Sequence, residues 1–334
     1  MIARNSKKCF PLAFRIPYSK WLPVDTFAHR RFKAAKALCL VAFLLLSAPS
    51  AWGQKGEPPE GAWTVDATSK FSFSQAAYSN WREGGLNTVS LAAGLDAKAR
   101  RHSEMWKQKH EVRLGYGIVS QDTLDFRKAN DAVRLSSQLR YRGKGFFSQL
   151  NPTLATNLRT QFAPGRNYDK VPKPLSRRTT DTLETPVKVS GFFSPAVVTQ
   201  SIGLTYDADS WFTQRVGVGL KQTVVLIERL RPLYYGEQSK QQDQPLRFEA
   251  GVESHTELNR EVFKNVRLKS ALDLFYAYNQ LETPPDALWE NTILLGVNEW
   301  LSVNLEGVML YNMDVDDRPQ FKETLSVGIS YSLI

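Results

Sequence analysis

The sequence predicts an all-β protein, a transmembrane antiparallel up-and-down β-barrel of about 12 strands. Three observations predict it. From about Ser69 to Ile334, stretches of 10–16 residues alternate apolar with polar side chains. The connections between them alternate long and short. Trp and Tyr gather beside those connections, where membrane interfaces would lie. Val266 to Tyr276 shows the first feature: one parity reads Val266, Leu268, Ser270, Leu272, Leu274, Tyr276, and the other Arg267, Lys269, Ala271, Asp273, Phe275. Successive strand side chains point to opposite faces, so one face is oily and the other charged. A series of such strands, each long enough to cross a bilayer when tilted, reads as a barrel.

A leader comes first. Arg30, Arg31, Lys33 and Lys36 precede an apolar run from Ala37 to Leu46, and Ala51-x-Gly53 supplies the small residues of a cleavage site before Gln54. The run is short for a membrane span and has the plan of a signal peptide. A buried helix of a soluble domain is the bland alternative. The thirty residues upstream are long for such a leader, so the expected start lies downstream, near Val24, since no Met occurs between Met1 and Met105. The expected organisation is a signal peptide over 1–53, a periplasmic N-terminal segment over 54–67, and an outer-membrane barrel over 68–334.

The leader also carries the charge. The whole chain has a formal net charge of +10, but residues 1–53 hold nine of the 43 Lys and Arg and one of the 33 acids. What remains is 34 basic against 32 acidic residues, a net charge of +2. The nucleic-acid partner that a pI near 9.5 invites is therefore not expected. Both cysteines, Cys9 and Cys39, also fall in the leader, which leaves no thiol for catalysis, disulfides or metal. Cys39 sits inside the apolar run, not after it as lipid attachment would need. The 281 residues that remain suffice for one large all-β domain, and their low mean hydropathy is no objection, because only alternate residues of a barrel meet lipid.

Twelve strands are expected in order: 69–79, 86–100, 106–119, 131–142, 146–162, 188–206, 211–227, 245–262, 264–279, 287–298, 299–313 and 320–334. Oily faces recur along them, as in Val89, Leu91, Ala93, Leu95; Val112, Leu114, Tyr116, Ile118; and Leu325, Val327, Ile329, Tyr331, Leu333. Six long connections alternate with five short ones, and short turns are periplasmic in outer-membrane barrels, so both termini should be periplasmic. Trp106, Trp211 and Trp300 sit beside short turns; Tyr278, Tyr311 and Trp289 lie at long-loop ends. A ring with an apolar body and a polar edge prefers those depths. A soluble β-sandwich would use the same aromatics as core anchors, but it has no need of strictly alternating loop lengths. Pro152 falls inside a strand and implies a bulge or a strand end.

The inward parity gathers Arg134, Arg140, Arg215, Lys221, Arg247, Glu249, Glu253, His255, Glu257, Arg267, Lys269, Asp273 and Glu306. Of these, Arg134, Arg140, Lys221, Glu249, Glu253, His255, Arg267, Lys269 and Asp273 are the lumen-lining candidates. Mixed signs imply ion pairs across the interior, either around a narrow channel or filling a closed barrel. The longest loop opens at Thr160-Gln161-Phe162-Ala163-Pro164-Gly165 and carries Arg166, Lys170, Lys173, Arg177 and Arg178, suited to a lumenal constriction, to lipopolysaccharide phosphates, or to plain solvation. Asn80-Trp81 with Gly84-Gly85 reads as a turn with an interfacial Trp or as an external contact. A serine hydrolase needs a His beside its Ser. His102 falls in a short turn, His110 near a periplasmic strand end, and His255 between Glu253 and Glu257, and no Gly-x-Ser-x-Gly occurs. Asp314-Val315-Asp316-Asp317 lacks the further ligands of a Ca²⁺ loop. No catalytic residue, cofactor or metal is expected.

Several runs resemble an outer-membrane β-barrel family of Gram-negative bacteria, domain-of-unknown-function family 3078. They are Phe73-Ser74-Gln75 through Asn80-Trp81-Arg82-Glu83-Gly84-Gly85-Leu86-Asn87, then Leu114-Gly115-Tyr116-Gly117, Phe126-Arg127-Lys128, Thr160 to Gly165, Phe193-Ser194-Pro195-Ala196, Lys269-Ser270 with Leu272 to Phe275, and Gln320-Phe321-Lys322-Glu323. The resemblance spans residues 66–334 and departs at the C-terminus, which lacks the final aromatic. It implies fold and location, and no activity. The function expected is a narrow channel for small polar solutes or ions. The alternative is a closed structural or assembly-partner barrel acting through its external loops; a lipid-modifying enzyme is the least favoured. Expected partners are outer-membrane lipid, lipopolysaccharide and the barrel assembly machinery, with the solute unknown.

Overall fold

The computed structural model describes residues 60–76, 87–122, 124–176, 184–208, 211–236, 239, 241–278 and 283–333. The signal peptide, the Asn80 to Gly85 turn, Arg177 and Arg178 lie outside them. Twelve antiparallel strands close into a barrel: β1 (Trp63–Ala76), β2 (Thr88–His102), β3 (Trp106–Gln121), β4 (Arg127–Tyr141), β5 (Leu150–Thr160), β8 (Ala196–Ala208), β9 (Phe212–Val224), β10 (Leu246–Phe263), β11 (Val266–Ala277), β12 (Asp286–Gly296), β13 (Leu301–Asn312) and β14 (Asp316–Ser332). A two-stranded sheet of β6 (Gly165–Asn167) and β7 (Val187–Ser190) stands apart in the longest loop. Each barrel strand pairs with its chain neighbours, and β14 returns to β1.

The register fixes which residues share a face. Leu268 stands opposite Ile293, Leu272 opposite Trp289, Leu305 opposite Leu325 and Leu301 opposite Ile329. This parity forms a continuous outer belt, and much of it is bare: Ile202, Val218, Leu325 and Ile329 are all more than half exposed. A wall of exposed aliphatic side chains on a closed sheet is a lipid face, so the chain is a transmembrane barrel. Aromatics edge it at the short-turn end, where Trp106 meets Tyr141 edge-on and Arg260 lies 5.3 Å over the Trp211 ring.

Of the boundaries that differ from the sequence reading, four have a local reason; β4 and β14 also begin four residues earlier than expected, at Arg127 and Asp316. β1 begins at Trp63, so the barrel takes in the last residues of the segment expected to be periplasmic; Val65 and Ala67 extend the outer parity. The strand expected from 146 begins at Leu150, because Gly145 at φ 61 turns the chain into a single helical turn, α1 (Phe146–Gln149), with Phe146 against Phe147. Pro152 then lies beyond the last β4–β5 pair, Arg140 with Thr153, where that ladder has ended. The stretch expected as one strand over 188–206 is two, since Gly191 and Ser194 exchange backbone hydrogen bonds around Phe193 at φ 47. The corner expected at Phe263 is the two-residue turn Lys264-Asn265, with Asn265 at φ 64, a conformation Asn tolerates.

Candidate functional site: the lumen

The inner parity is built from charges that the strand alternation leaves no other place for. On β10, Arg247, Glu249, Glu253, His255 and Glu257 follow one another at intervals of two or four, and β9 sets Lys221 opposite Glu249 and Arg215 opposite His255. Neighbours then pair. Arg215 donates to Glu253 at 2.7 Å with both side chains almost fully buried, and Lys221 reaches Glu249 at 2.9 Å. His255 Nδ1 lies 2.6 Å from Asp273 Oδ1 on β11, and Arg267 is 3.8 Å from Glu261. Removing ions from water is tolerable only when each finds a partner of good geometry.

Other pairs cross the interior. Arg134 on β4 meets Glu290 on β12, two strands that stand six places apart in the twelve-strand circuit, on opposite walls. Lys109 on β3 reaches Glu257 on β10 at 3.4 Å, and Lys221 also holds Asp286 on β12. Arg140 meets Asp207, which also accepts from Thr213 at 2.9 Å. The nine candidate positions all carry the parity opposite the lipid belt. Eight of them enter these pairs; Lys269 makes no ion pair among the described residues.

Sequence reasoning missed Glu290, Asp286, Asp207 and Lys109 as partners. Strand parity places Glu290 and Lys109 inside, Asp207 and Asp286 lie one residue beyond the expected strand ends, and which wall each meets depends on closure. It also missed Asp314 as an ion-pair partner: this acid, read with a Ca²⁺ loop in mind, is 2.7 Å from Arg247. His110 points outward and shares a 2.9 Å hydrogen bond with Ser137, and so is not part of the lumen.

The long-loop end carries a second construction. Leu175, Val187, Val225, Leu230 and Tyr235 form a buried cluster, with Val171, Val189, Ile227, Leu233 and Tyr234 packed against it. It unites the loop after β5 with the loop after β9. Short helical pieces, the turn α2 (Lys173–Ser176) and the turn α3 (Pro232–Tyr235), supply Leu175 and Tyr235. Tyr234 donates to the Val189 carbonyl at 2.8 Å, and Tyr235 donates to that of Thr223 at 3.1 Å. Burial raises both phenols above their ordinary range, so they stay neutral donors. The Tyr235 carbonyl in turn accepts from Arg247 at 2.9 Å, which ties this cluster to the lumen charges. The loop's root is tied too: Asp131 accepts from the Phe162 and Ala163 amides, and Lys128 donates to Gln161 and to the Ala163 carbonyl.

The chain is thus a closed transmembrane barrel with an ion-paired interior. Residues 73–166 match the family model described as "Protein of unknown function (DUF3078)", the family that the motifs resemble. The match runs from β1 into the loop after β5. No curated protein matches it. Among solved structures it is similar to the translocator domain of autotransporter NalP from Neisseria meningitidis, at 9% identity over 90% of this chain and 97% of that one, TM-score 0.35. It is also similar to an outer membrane channel from Pseudomonas putida F1, at 12% identity over 84% of this chain and 98% of that one, TM-score 0.34. At such scores the barrel is defined by this chain's own sheet, and the likenesses add no detail to it.

Proposed function

We propose that the protein is an outer-membrane barrel of a Gram-negative cell that passes ions or small polar solutes through a narrow lumen, with Arg134–Glu290 as its constriction. The observation that carries this reading is the ion pair joining opposite walls within an interior lined by charges of both signs. Such a pair blocks free flow yet is held by one contact that hydrated ions can compete for. Export by the 1–53 leader, insertion by the assembly machinery, and a setting of outer-membrane lipid and lipopolysaccharide belong to the same proposal. No catalytic residue is assigned, because among the described residues His110, which meets Ser137 on the outward parity, pairs with no carboxylate, and His255, which pairs with Asp273, bonds to no Ser.

Conductance of the purified barrel in a planar bilayer tests it. The wild type should show small, salt-dependent steps, and Glu290→Ala should raise conductance by freeing Arg134 from the opposite wall. Silence from both would favour the second reading, a closed barrel acting through its external loops. The buried cluster around Tyr235 is what supports that alternative.

A further inference from the structure

We propose that the β1–β14 seam is a lateral portal through which a single-chain anionic amphiphile passes between the long-loop-side half of the bilayer and the lumen. The seam is the one junction that closes the barrel between the ends of the chain, and its pairing is short. The β1–β14 ladder runs from Thr68 with Ser332 to Ser72 with Gly328, with one more bond from the Leu333 amide to the Ala67 carbonyl, whereas β1 pairs β2 along its whole length, from Trp63 with Arg101 to Ala76 with Thr88. Both strands run on past the last seam pair. In the same register Phe73 to Ala76 would meet Val327 to Thr324, and these eight described residues make no such pairs. Four missing pairs open roughly 13 Å along the strands. Trp63 lies at the short-turn end, where the Gly61 amide donates to the His102 carbonyl, so the opening is in the half toward the long loops.

The side chains flanking the unpaired stretch are apolar and bare. On β1, Phe71, which is paired, is 42% exposed and Phe73, which is not, is 62%. On β14 the paired Ile329 is 55% exposed, Val327 beyond the last pair 54% and Leu325 69%. These apolar lips meet lipid. Behind them the inward parity offers Ser72 and Ser74 on β1 and Thr324 and Ser326 on β14, hydroxyl groups with little bulk. An unpaired strand edge does not survive against hydrocarbon unless protein or a water-filled cavity borders it, so this edge needs polar contact from the lumen side.

Charge selects the headgroup. Lys269 faces Lys98, Lys70 and Arg113, interleaved with the acids Asp96, Glu111 and Glu306, the last of them opposite Thr324 of the seam strand. Asp96 is already shared by Lys70 at 2.7 Å and Arg113 at 3.1 Å, and Lys269 has no ion pair among the described residues. Lys98 in turn holds Glu111 at 2.7 Å, so a carboxylate or phosphate head entering by the seam takes Lys269 as its partner, while its chain remains between Phe73 and Leu325. This route is independent of the axial passage proposed above and does not require the Arg134–Glu290 constriction to open.

Photo-crosslinking in vesicles tests it. The photoreactive residue p-benzoylphenylalanine replaces Ser326, which faces inward at the seam, or Val303, an outward control on β13, and alkyne-tagged palmitate or hexadecanol is added. Palmitate should label position 326 more strongly than hexadecanol, and both should label position 303 alike. Lys269→Gln should lower the palmitate adduct at 326 about fivefold, the share of one lysine in holding an anionic headgroup. A double-chain anionic phospholipid should label 303 and not 326. Equal labelling of 326 by the two single-chain probes, or none there while 303 labels, overturns the proposal. An adduct to another protein at 326 in intact cells also overturns it, in favour of a partner strand at this edge. Heat-modified gel mobility confirms that each sample is folded, and Thr324 replaces Ser326 if that variant does not fold.

Discussion

The wall formed by β9 and β10 and the seam formed by β14 and β1 obey the same alternation but are built to opposite ends. β9 and β10 share an unbroken ladder from Phe212 with Leu258 to Val224 with Leu246. Inside them Arg215 and Glu253 are sealed from solvent at 2% and 4% exposure. Glycines let the adjoining backbones approach, since a Cβ at Gly217 would stand 2.4 Å from the Ile202 carbonyl. The seam holds five pairs, and the inward ion pair beside it, Lys70 with Asp96, is 44% and 28% exposed. The lesson is that closing a barrel does not make its circumference uniform. One side is sealed by ion pairs in close packing, and the other stays wet and loosely held.

The largest effect is expected at Glu253. Removing one partner of a buried pair leaves an uncompensated charge, so Glu253→Ala should destabilise the barrel by about 3–5 kcal/mol. Urea unfolding of the refolded protein in lipid checks this. A double change, Arg215→Met with Glu253→Leu, should recover most of the loss; failure to recover would mean that the site needs the charges themselves.

A smaller effect is expected on the lipid face. Leu272, seventh of the twelve residues of β11, faces outward opposite Trp289, and an Arg near the midplane of a barrel's lipid face costs about 2–4 kcal/mol. Leu272→Arg should impair assembly, seen as lost heat-modified mobility. Asp273→Asn, one residue on, should keep the barrel assembled and weaken only the contact with His255. Equal tolerance of both would mean that this strand's facing is misread.

The smallest effect belongs to the seam side. Lys70→Ala removes a half-exposed, water-screened pair and should change urea stability by no more than about 1 kcal/mol. A loss as large as that of Glu253→Ala would show that the seam is as tightly held as the β9–β10 wall.

Much of the fold was legible because alternation writes itself into the chain. Leu268, Leu272 and Leu274 against Lys269 and Asp273 announce a two-faced strand, and register only confirms which face is which. The local ends were less legible. The helical turn at Phe146 and the reversal at Gly191 to Ser194 each hang on one residue at positive φ, Gly145 and Phe193, and apolar periodicity does not record backbone sign. The Tyr235 cluster was not foreseen, because its members come from two loops that neither period describes.

By itself, then, the sequence determined the number of strands, their facing and the inward placing of Arg134, Lys221, Glu253 and Asp273, since a period of two needs only local order. Closure decided the rest. Arg134 and Glu290 are 156 residues apart and meet only because twelve strands bring opposite walls within reach. The seam's length depends on where β1 and β14 stop pairing. Both are non-local facts, set by how far the sheet curls before its edges meet, and no stretch of the chain carries them alone.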